Sequence, residues 1–308
     1  MTRTLERRST VQEGRSGVVH PLRRRTLRVL SLAGIVVGGG MAMAPAAGAA
    51  PGGENIRVPC SGDGGGPAGI AAAVNTLNQT GGGGVVLATR CTYVFTDSFA
   101  GANAVAPIKT SISVIGDQAT LTRTSNAWFR FFEVASGGKL ELLHMSMKGG
   151  RQATGGALLI AQGATAEVQS DRVENNDAQP SGGGIYDEGT LRMEGTILTH
   201  NSATPIRERK ADYNAFGAGL RITASGNAEI STSEVTDNVL VPTPLRPVLG
   251  GAGIFNDGQL TVTASVIKGN SINTGEGDAG SAAGAGIGNR GTLTLNRSRV
   301  EDNTTSMP

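Results

Sequence analysis

The feature that most constrains the fold of this chain is an internal repeat that begins near residue 130. One pattern recurs six times, most clearly over residues 251–270 and 284–303, where a Gly-Ala-Gly-Ile phrase opens each copy. Because such repeats stack into extended assemblies, the repeat outweighs any estimate of domain number from chain length. Each copy closes on Asn or on its equivalent, at Gly150, Asn176, Asn201, Asn238, Asn270 and Asn303.

Small or aliphatic residues keep constant positions relative to that closing residue. Two columns lie ten and eight residues before it, which is the two-residue period of a strand with one buried face. A third column lies three residues before it, and a fourth opens each copy. The columns are Leu140, Ala166, Leu191, Ala228, Leu260 and Leu293; Leu142, Val168, Met193, Ile230, Val262 and Leu295; Met147, Val173, Leu198, Val235, Ile267 and Val300; and Val134, Leu158, Ile185, Leu220, Ile254 and Ile287.

This pattern predicts an all-β fold in which short parallel strands coil into a solenoid. Helical repeats do not fit, because glycines interrupt short β-rich runs and no stretch has a 3.6-residue period. Each coil would bury its apolar face only by stacking on its neighbours. The composition agrees, since Gly makes up 47 of 308 residues and aromatic residues only 4%. A narrow interior of Val, Ile, Leu and Ala rows accounts for both values.

The closing asparagines are predicted to be structural. Asn tolerates the left-handed backbone conformation of a sharp corner, and stacked Asn side chains can hydrogen-bond one another. Gly takes the same conformation without strain, which explains Gly150. We therefore predict an asparagine ladder at one corner of the coil, formed by Asn176, Asn201, Asn238, Asn270 and Asn303.

A different segment precedes the repeats. Residues 67–80 place Ile70, Val74 and Leu77 at helical spacing, which predicts a short amphipathic helix ended by the glycines at 81–84. Strands are expected over 85–87, 91–95, 112–117 and 119–121. Since the open end of a solenoid exposes an unpaired edge, we interpret the helix as a cap.

The first 49 residues have the composition of an export signal. A basic segment, an apolar run and a small-residue site place the cleavage after Ala49, with Ala47 at the −3 position. A membrane anchor is the alternative, but the run contains Gly and Pro and is shorter than the ~20 apolar residues of a span. The chain thus divides into a signal peptide (1–49), an N-terminal cap with the first irregular coils (50–130) and the β-helix repeats (131–308).

Removal of the signal changes the charge of the chain. From Ala50 onward there are nineteen Lys and Arg against twenty-three Asp and Glu, a net charge of −4. No basic stripe with interleaved aromatics remains, so we expect no nucleic-acid partner. We predict a secreted protein, extracellular or associated with the cell wall, with no stable membrane span after cleavage.

Cys60 and Cys91 are the only cysteines, and both lie in the exported part. An even pair in an oxidising compartment predicts a disulfide, worth roughly 2–4 kcal/mol for a loop of this size. A metal site would need further Cys or His residues nearby, and the sequence has none there. We therefore predict no metal site.

The order of segments resembles a known family. A capping helix, VVLATRCTYVF, SISVIGDQATLTR, FRFFEV and copies such as GGGIYDEGTLRMEGTILTHN resemble exported actinobacterial proteins of the pectin-lyase-like superfamily, over about residues 56–303. The closing-Asn phrases also resemble the repeats of polymorphic outer-membrane proteins and adhesins. The resemblance implies a right-handed parallel β-helix, a single-stranded solenoid with a short N-terminal capping helix. Function is not implied, because this architecture carries lyases, hydrolases and adhesins.

Catalytic chemistry is difficult to locate in the sequence. A lyase of the family would place acidic Ca²⁺ ligands and an Arg or Lys base on one exterior strand face, and a hydrolase would cluster Asp residues. The acids here are scattered over different columns, and none of these columns stays acidic over three neighbouring copies. No catalytic residue and no cofactor is predicted, with Ca²⁺ expected only if the lyase alternative holds.

Three insertions at one corner are the most suggestive feature. They cover residues 202–216, 239–250 and 271–283, on consecutive copies, so they should stack on one side of the coil. Long loops on a rigid scaffold often carry binding sites, although solvated insertions without function are the alternative. The candidate binding residues are Arg207, Arg209, Lys210, Tyr213 and Arg246.

Other conspicuous residues are interpreted as structural. Tyr186 and Phe255 fall on equivalent positions and could stack sugars, but half-buried strand residues are the simpler reading. Asp187 and Asp257 belong to turn motifs rather than metal sites. His144 and His200 have no catalytic partner at a meaningful spacing.

The sequence therefore favours a secreted, non-catalytic β-solenoid that binds an extracellular or cell-surface polysaccharide. The alternative is a polysaccharide lyase or glycoside hydrolase of the pectin-lyase-like type. End-to-end self-association is a further expectation, because an exposed solenoid end could pair with another chain.

Overall fold

The computed structural model describes residues 53–206, 214–241, 248–273 and 281–306. Within these ranges the chain forms one helix and thirty strands, arranged in three parallel sheets. The strands coil into about eight turns of a parallel β-solenoid, which confirms the predicted fold class. The handedness of the coil stays a prediction, and the export signal lies outside the described ranges.

The long sheet has fifteen strands in two ladders, which share two long strands, β4 (Ser111–Arg123) and β6 (Lys139–Lys148). The first ladder adds β1 (Glu54–Val58), β2 (Gly82–Leu87), β9 (Thr165–Gln169), β13 (Thr190–Glu194), β18 (Asn227–Ser231), β23 (Gln259–Thr263) and β28 (Thr292–Asn296). The second adds β3 (Thr92–Phe95), β10 (Arg172–Glu174), β14 (Ile197–Thr199), β19 (Glu234–Thr236), β24 (Val266–Lys268) and β29 (Arg299–Glu301).

Two further sheets complete the coil. The six-stranded sheet contains β5 (Phe132–Val134), β8 (Leu158–Ile160), β12 (Ile185–Asp187), β17 (Leu220–Ile222), β22 (Ile254–Asn256) and β27 (Ile287–Asn289). The nine-stranded sheet contains β7 (Arg151–Thr154), β11 (Asp177–Ser181), β15 (Ser202–Ala203), β16 (Ala215–Phe216), β20 (Val239–Leu240), β21 (Val248–Gly250), β25 (Ser271–Asn273), β26 (Ser281–Ala283) and β30 (Thr304–Ser306).

The strand register confirms the first three inward columns. Leu140 pairs with Ala166, and the same column continues through Leu191 to Leu293. The column three residues before the closing position likewise runs from Met147 to Val300. In the first five copies these side chains are buried, so like residues stack on like residues along the coil.

The opening column is correct except in its first member. Phe132, not Val134, pairs with Leu158, while Val134 pairs with Ile160 two residues further on. Both side chains point inward and are buried. The misplacement arises because the first copy lacks the glycines that mark where the later copies begin.

The predicted asparagine ladder is present. Asn201 Oδ1 accepts hydrogen bonds at 3.0 Å from both the backbone N–H and the side-chain amide of Asn176. Asn201 Nδ2 donates to the Val173 carbonyl and to Asn238 Oδ1, each at 3.0 Å. Asn238, Asn270 and Asn303 continue the same pattern. The ladder therefore satisfies backbone groups of one coil with side chains of the next.

The asparagines themselves do not adopt the left-handed conformation, so that part of the interpretation was wrong. Each residue before a closing position has a φ of 53° to 78° instead. The corner is thus turned one residue earlier, which leaves the Asn side chain free to point inward. The left-handed residues are Gly149, Asn175, His200, Asp237, Gly269 and Asp302.

A second polar ladder lines the neighbouring corner, and the sequence analysis missed it. Asp171 Oδ1 accepts the Met145 N–H at 2.6 Å, and Thr196 Oγ1 accepts the Asp171 N–H at 3.3 Å. The hydroxyl oxygens of three serines then accept the backbone N–H groups of the copies before them. These residues are Ser233, Ser265 and Ser298.

The N-terminal end is covered by the predicted helix α1 (Gly66–Thr80), in which Ile70, Val74 and Leu77 are fully buried. Gly81 ends the helix in the left-handed conformation, but the following glycines belong to β2 rather than to a turn. At Gly83 a side chain would collide with the Leu77 side chain and the first strand. Glycine therefore lets the cap approach the sheet.

The predicted disulfide joins Cys60 to Cys91, with 5.6 Å between the Cα atoms. It links the segment before α1 to the start of β3. Such a bond is compatible with an oxidising, extracellular setting. Within the described ranges, no helix has the length and apolar character needed to cross a bilayer.

Candidate functional site

The insertions split one strand of the nine-stranded sheet in three consecutive copies. The unsplit strand β11 pairs with β15 through its first two residues and with β16 through its last. In the next copy the two pieces of the split strand are β20 and β21, and in the copy after that they are β25 and β26. The flanks of the three insertions are therefore stacked on one side of the coil.

The candidate binding residues lie within two of these insertions. None of them belongs to the part of the chain that the structure describes, so their binding role stays a prediction. They are Arg207, Arg209, Lys210, Tyr213 and Arg246.

Two arginines and two phenylalanines form a cluster at the C-terminal end of the first insertion. Phe216, the last residue of β16, lies on Phe255 with 4.4 Å between the ring centroids. The guanidinium carbons of Arg221 and Arg290 lie 4.8 and 5.0 Å from the centre of the Phe255 ring. Arg221 also forms an ion pair with Asp257. These cation–π contacts and the ion pair hold Phe216, which lies at the C-terminal end of the first insertion.

Phe255 is a packing residue, which agrees with the simpler interpretation of the sequence and excludes the alternative role as a sugar platform. It does share an outward column with Tyr186, with Arg221 between them. However, only 4% of Phe255 is exposed, and a Cβ at Gly250 or Gly288 would lie 2.6 Å from its ring. Tyr186 is half-buried, and this burial raises the pKa of its hydroxyl.

The turn interpretation of Asp187 is confirmed. Asp187 Oδ1 accepts the Gly189 N–H at 3.0 Å, just as Asn256 Oδ1 accepts the Gly258 N–H at 3.0 Å. The other Asp187 oxygen is buried and has no hydrogen-bond partner among the described residues. Burial raises the pKa of Asp187 to about 7.

An outward column of the long sheet carries acids in three of four copies. Glu141, Glu167, Arg192 and Glu229 follow one another in register. Glu141 accepts from a serine hydroxyl at 2.7 Å, Glu167 pairs with a lysine at 2.9 Å, and Arg192 lies 3.4 Å from Glu229. Glu141 and Glu167 were not predicted as part of this column, although their position nine residues before the closing residue could have revealed them.

A cleft of about 520 Å³ lies at the corner of the second polar ladder. Its lining includes Asp117, His144, Asp171 and Arg172. Asp171 is only 3% exposed, and its Oδ2 atom has no hydrogen-bond partner within the described ranges. Burial raises the pKa of Asp171 to about 7.

The described residues contain no group of three or more His, Cys, Asp or Glu side chains that could hold a metal ion. His144 and His200 are both exposed at left-handed corner positions. His200 Nδ1 lies 2.8 Å from the hydroxyl of Thr199.

The chain was compared with family models, with curated proteins and with solved structures. It matches none of them. Functional inference therefore rests on the geometry of three surfaces: the split strands with the Arg–Phe cluster, the outward acidic column, and the cleft beside Asp171.

Proposed function

We propose that this protein is a secreted, non-catalytic β-solenoid scaffold that binds an extracellular or cell-surface polysaccharide. The observation that carries the proposal is the splitting of the same strand in three consecutive copies. Stacked parallel strands are about 4.8 Å apart, so the flanking strands of the three insertions form one continuous row on adjacent rungs. Solenoids bind extended ligands along such surfaces.

The chemistry of the insertions agrees with a polysaccharide ligand. Arg207, Arg209, Lys210, Tyr213 and Arg246 supply hydrogen-bond donors and one aromatic ring. The Arg–Phe cluster fixes Phe216 at the end of the first insertion, so this attachment point needs no further ordering when a ligand binds.

The proposal includes export and a family relationship. The composition of residues 1–49 and the disulfide between Cys60 and Cys91 support secretion to an extracellular or cell-wall location. The segment order supports membership of the right-handed, pectin-lyase-like β-helix proteins, of actinobacterial type.

The second candidate is a polysaccharide lyase or glycoside hydrolase. It is favoured by the acidic column of Glu141, Glu167 and Glu229, since carboxyl groups stacked on adjacent rungs fall near the separations that glycosidic catalysis uses. The existing partners of these acids weigh against it, because Glu141, Glu167 and Glu229 each contact another protein group.

The experiment uses the chain from residue 50 with polygalacturonate, alginate, glycosaminoglycan and neutral polysaccharides. Binding is followed by co-sedimentation, and unsaturated product is followed at 235 nm with and without Ca²⁺. A reducing-sugar assay detects hydrolysis. We expect binding without product, weakened by Arg209→Ala or Arg246→Ala. Arg57→Ala is the matched control, because Arg57 is an exposed arginine on β1, away from the insertions.

Two results would overturn the proposal. Product formation that Arg209→Ala or Arg246→Ala abolishes would establish the enzyme instead. A failure to bind any polysaccharide would remove the binding function itself.

A further inference from the structure

Trp128 is the only tryptophan of the chain, and 39% of it is exposed. The residues on either side of it are firmly held. Arg123 Nη1 donates to the Ala127 carbonyl at 2.7 Å, and Gln152 Nε2 donates to the Trp128 carbonyl at 3.4 Å. Phe129 is fully buried, and its carbonyl accepts a backbone N–H of β7 at 3.0 Å. A held backbone thus presents the indole ring to solvent.

A second aromatic side chain is exposed on a neighbouring loop. Phe99 is 50% exposed, and its backbone N–H donates to the Ala104 carbonyl at 3.3 Å. Gln152 Nε2 joins this loop to that of Trp128, since it also donates to the Ala102 carbonyl at 3.3 Å. Single exposed aromatic residues are ordinary on protein surfaces, so exposure alone makes neither ring a binding site, and the groups around each ring decide.

Polar groups suited to a sugar surround the ring. The Arg151 guanidinium carbon lies 4.3 Å from the centre of the Trp128 ring, and Arg151 Nε lies 3.1 Å from Asp177 Oδ2. No described residue accepts a hydrogen bond from the terminal Nη groups of Arg151, which leaves these donors available to a ligand. Asp177 Oδ1 accepts from the Ser202 hydroxyl at 2.8 Å and keeps further acceptor capacity.

The position of this cluster links it to the proposed binding surface. Arg151, Asp177 and Ser202 pair in sequence along one column of the nine-stranded sheet. These three residues span two strand spacings, or about 10 Å, which is roughly the length of two sugar units. Ser202 begins the strand that the first insertion splits. Trp128 therefore lies at the N-terminal edge of the surface on which the insertions are stacked.

Resting on the function proposed above, we propose that Trp128 is the stacking platform of a subsite for a neutral pyranose ring. The apolar face of such a ring stacks on the indole face opposite the Arg151 guanidinium, while Arg151 and Asp177 exchange hydrogen bonds with the hydroxyl groups of the neighbouring sugar unit. A neutral sugar fits because the charge of Arg151 is already matched by Asp177. The Arg123 guanidinium is likewise directed at the protein, since it donates to the Gly149, Ser125 and Ala127 carbonyls.

The test uses the single tryptophan as a site-specific probe. The chain from residue 50 is titrated with cellohexaose, xylohexaose, laminarihexaose and mannohexaose, with hexagalacturonate as the charged comparison. Emission of Trp128 and calorimetric binding are measured in parallel. We expect at least one neutral hexasaccharide to bind and to shift or quench the emission. Trp128→Ala should weaken that binding at least about tenfold, and Trp128→Phe should weaken it less.

The matched control is Phe99→Ala, which removes an exposed aromatic ring from the neighbouring loop but leaves Trp128, Arg151 and Asp177 in place. It should change the affinity by less than about threefold. A hexasaccharide that binds without altering the emission, and equally well to Trp128→Ala, would overturn the subsite while leaving the proposed function intact. Binding of hexagalacturonate alone would overturn the neutral class, and a failure of all sugars, polysaccharides included, would overturn both proposals.

Discussion

Two buried carboxyl groups occupy positions that neutral side chains fill in other copies. Asp171 begins a ladder that continues with Thr196 and Ser233, and Asp187 shares a column with Asn256. The Asn256 amide donates at 2.9 Å to the Thr292 carbonyl of the next copy. Asp187 has an oxygen without a partner at the equivalent place. Burial raises both pKa values because it penalises the charged form, and the protonated carboxyl that results could supply the missing donor.

This arrangement predicts that the free energy of unfolding falls as the pH rises from about 4 to about 7. The folded chain holds the protons of Asp171 and Asp187 with pKa values of about 7, whereas the unfolded chain releases them near 3.8. Their stabilising contribution is therefore complete below pH 4 and lost above pH 7. The neighbouring Glu188 raises the pKa of Asp187 further. The charged and titratable groups that line the cleft beside Asp171 are Asp117, His144 and Arg172.

Asp187→Asn should therefore stabilise the protein at pH 8 by about 1–3 kcal/mol, because a buried acceptor without a partner becomes a donor. Urea unfolding at pH 5 and pH 8 measures the effect. The free energy of unfolding of the variant should also vary less with pH than that of the original chain. Asp171→Thr, which copies Thr196, should behave in the same direction. A loss of stability at pH 8 in both variants would contradict this account.

At the scale of elements, the asparagine ladder connects neighbouring coils more specifically than the aliphatic columns do. Each ladder amide satisfies a backbone N–H of the copy before it and a carbonyl of that same copy. Aliphatic columns tolerate exchange among Leu, Ile and Val, but a missing amide leaves several buried groups without partners.

Asn201→Ala should consequently destabilise the chain by about 2–4 kcal/mol, since it leaves two or more buried polar groups unsatisfied. Asn303→Ala is the matched control, because Asn303 is half-buried and ends the described ladder. Asn303→Ala should lower the free energy of unfolding by clearly less than Asn201→Ala does. Thermal unfolding of the two variants compares them, and equal losses would show that the ladder adds nothing beyond the packing of single residues.

Most of the inward columns and ladders were predictable from the sequence, because residues of one chemical class recur at constant spacing. The three aliphatic columns and the Asn ladder share one residue class each. The second ladder escaped notice because Asp171, Thr196 and Ser233 differ in chemistry and look like surface residues. The left-handed corners were misplaced by one residue because His200, Asp237 and Asn175 share no common side chain.

At the scale of the whole molecule, the position of the insertions was predictable but their relation to the sheet was not. Two-residue strands such as β15 and β16 are too short to show a period, so only the pairing with β11 reveals a split strand. The Trp128 platform was also missed, because its exposure depends on buried neighbours in distant segments. The acidic column was obscured by Arg192, which interrupts it.

Deletion of residues 205–214 should preserve the fold. Ala203 would then be followed by Thr204, Ala215 and Phe216, which is the spacing of the unsplit strand β11. The free energy of unfolding should fall by less than about 2 kcal/mol, because the deletion removes buried Pro205 and the Asn214 oxygen that accepts the Val248 N–H at 3.0 Å, but no strand residue. Far-UV circular dichroism and urea unfolding test this. Unfolding of the variant would show that the insertion belongs to the scaffold.

The split strand also defines how this protein could diversify. Pairing on both sides of each break is kept by residues that contact only the adjacent rungs, so the length and sequence of the intervening peptide can change while the register stays fixed. The peptide inserted on one rung can then change without a change in the peptides inserted on the neighbouring rungs. Duplication of the gene segment that encodes one coil would add another insertion point about 4.8 Å from the last one, while the inward columns continue unchanged.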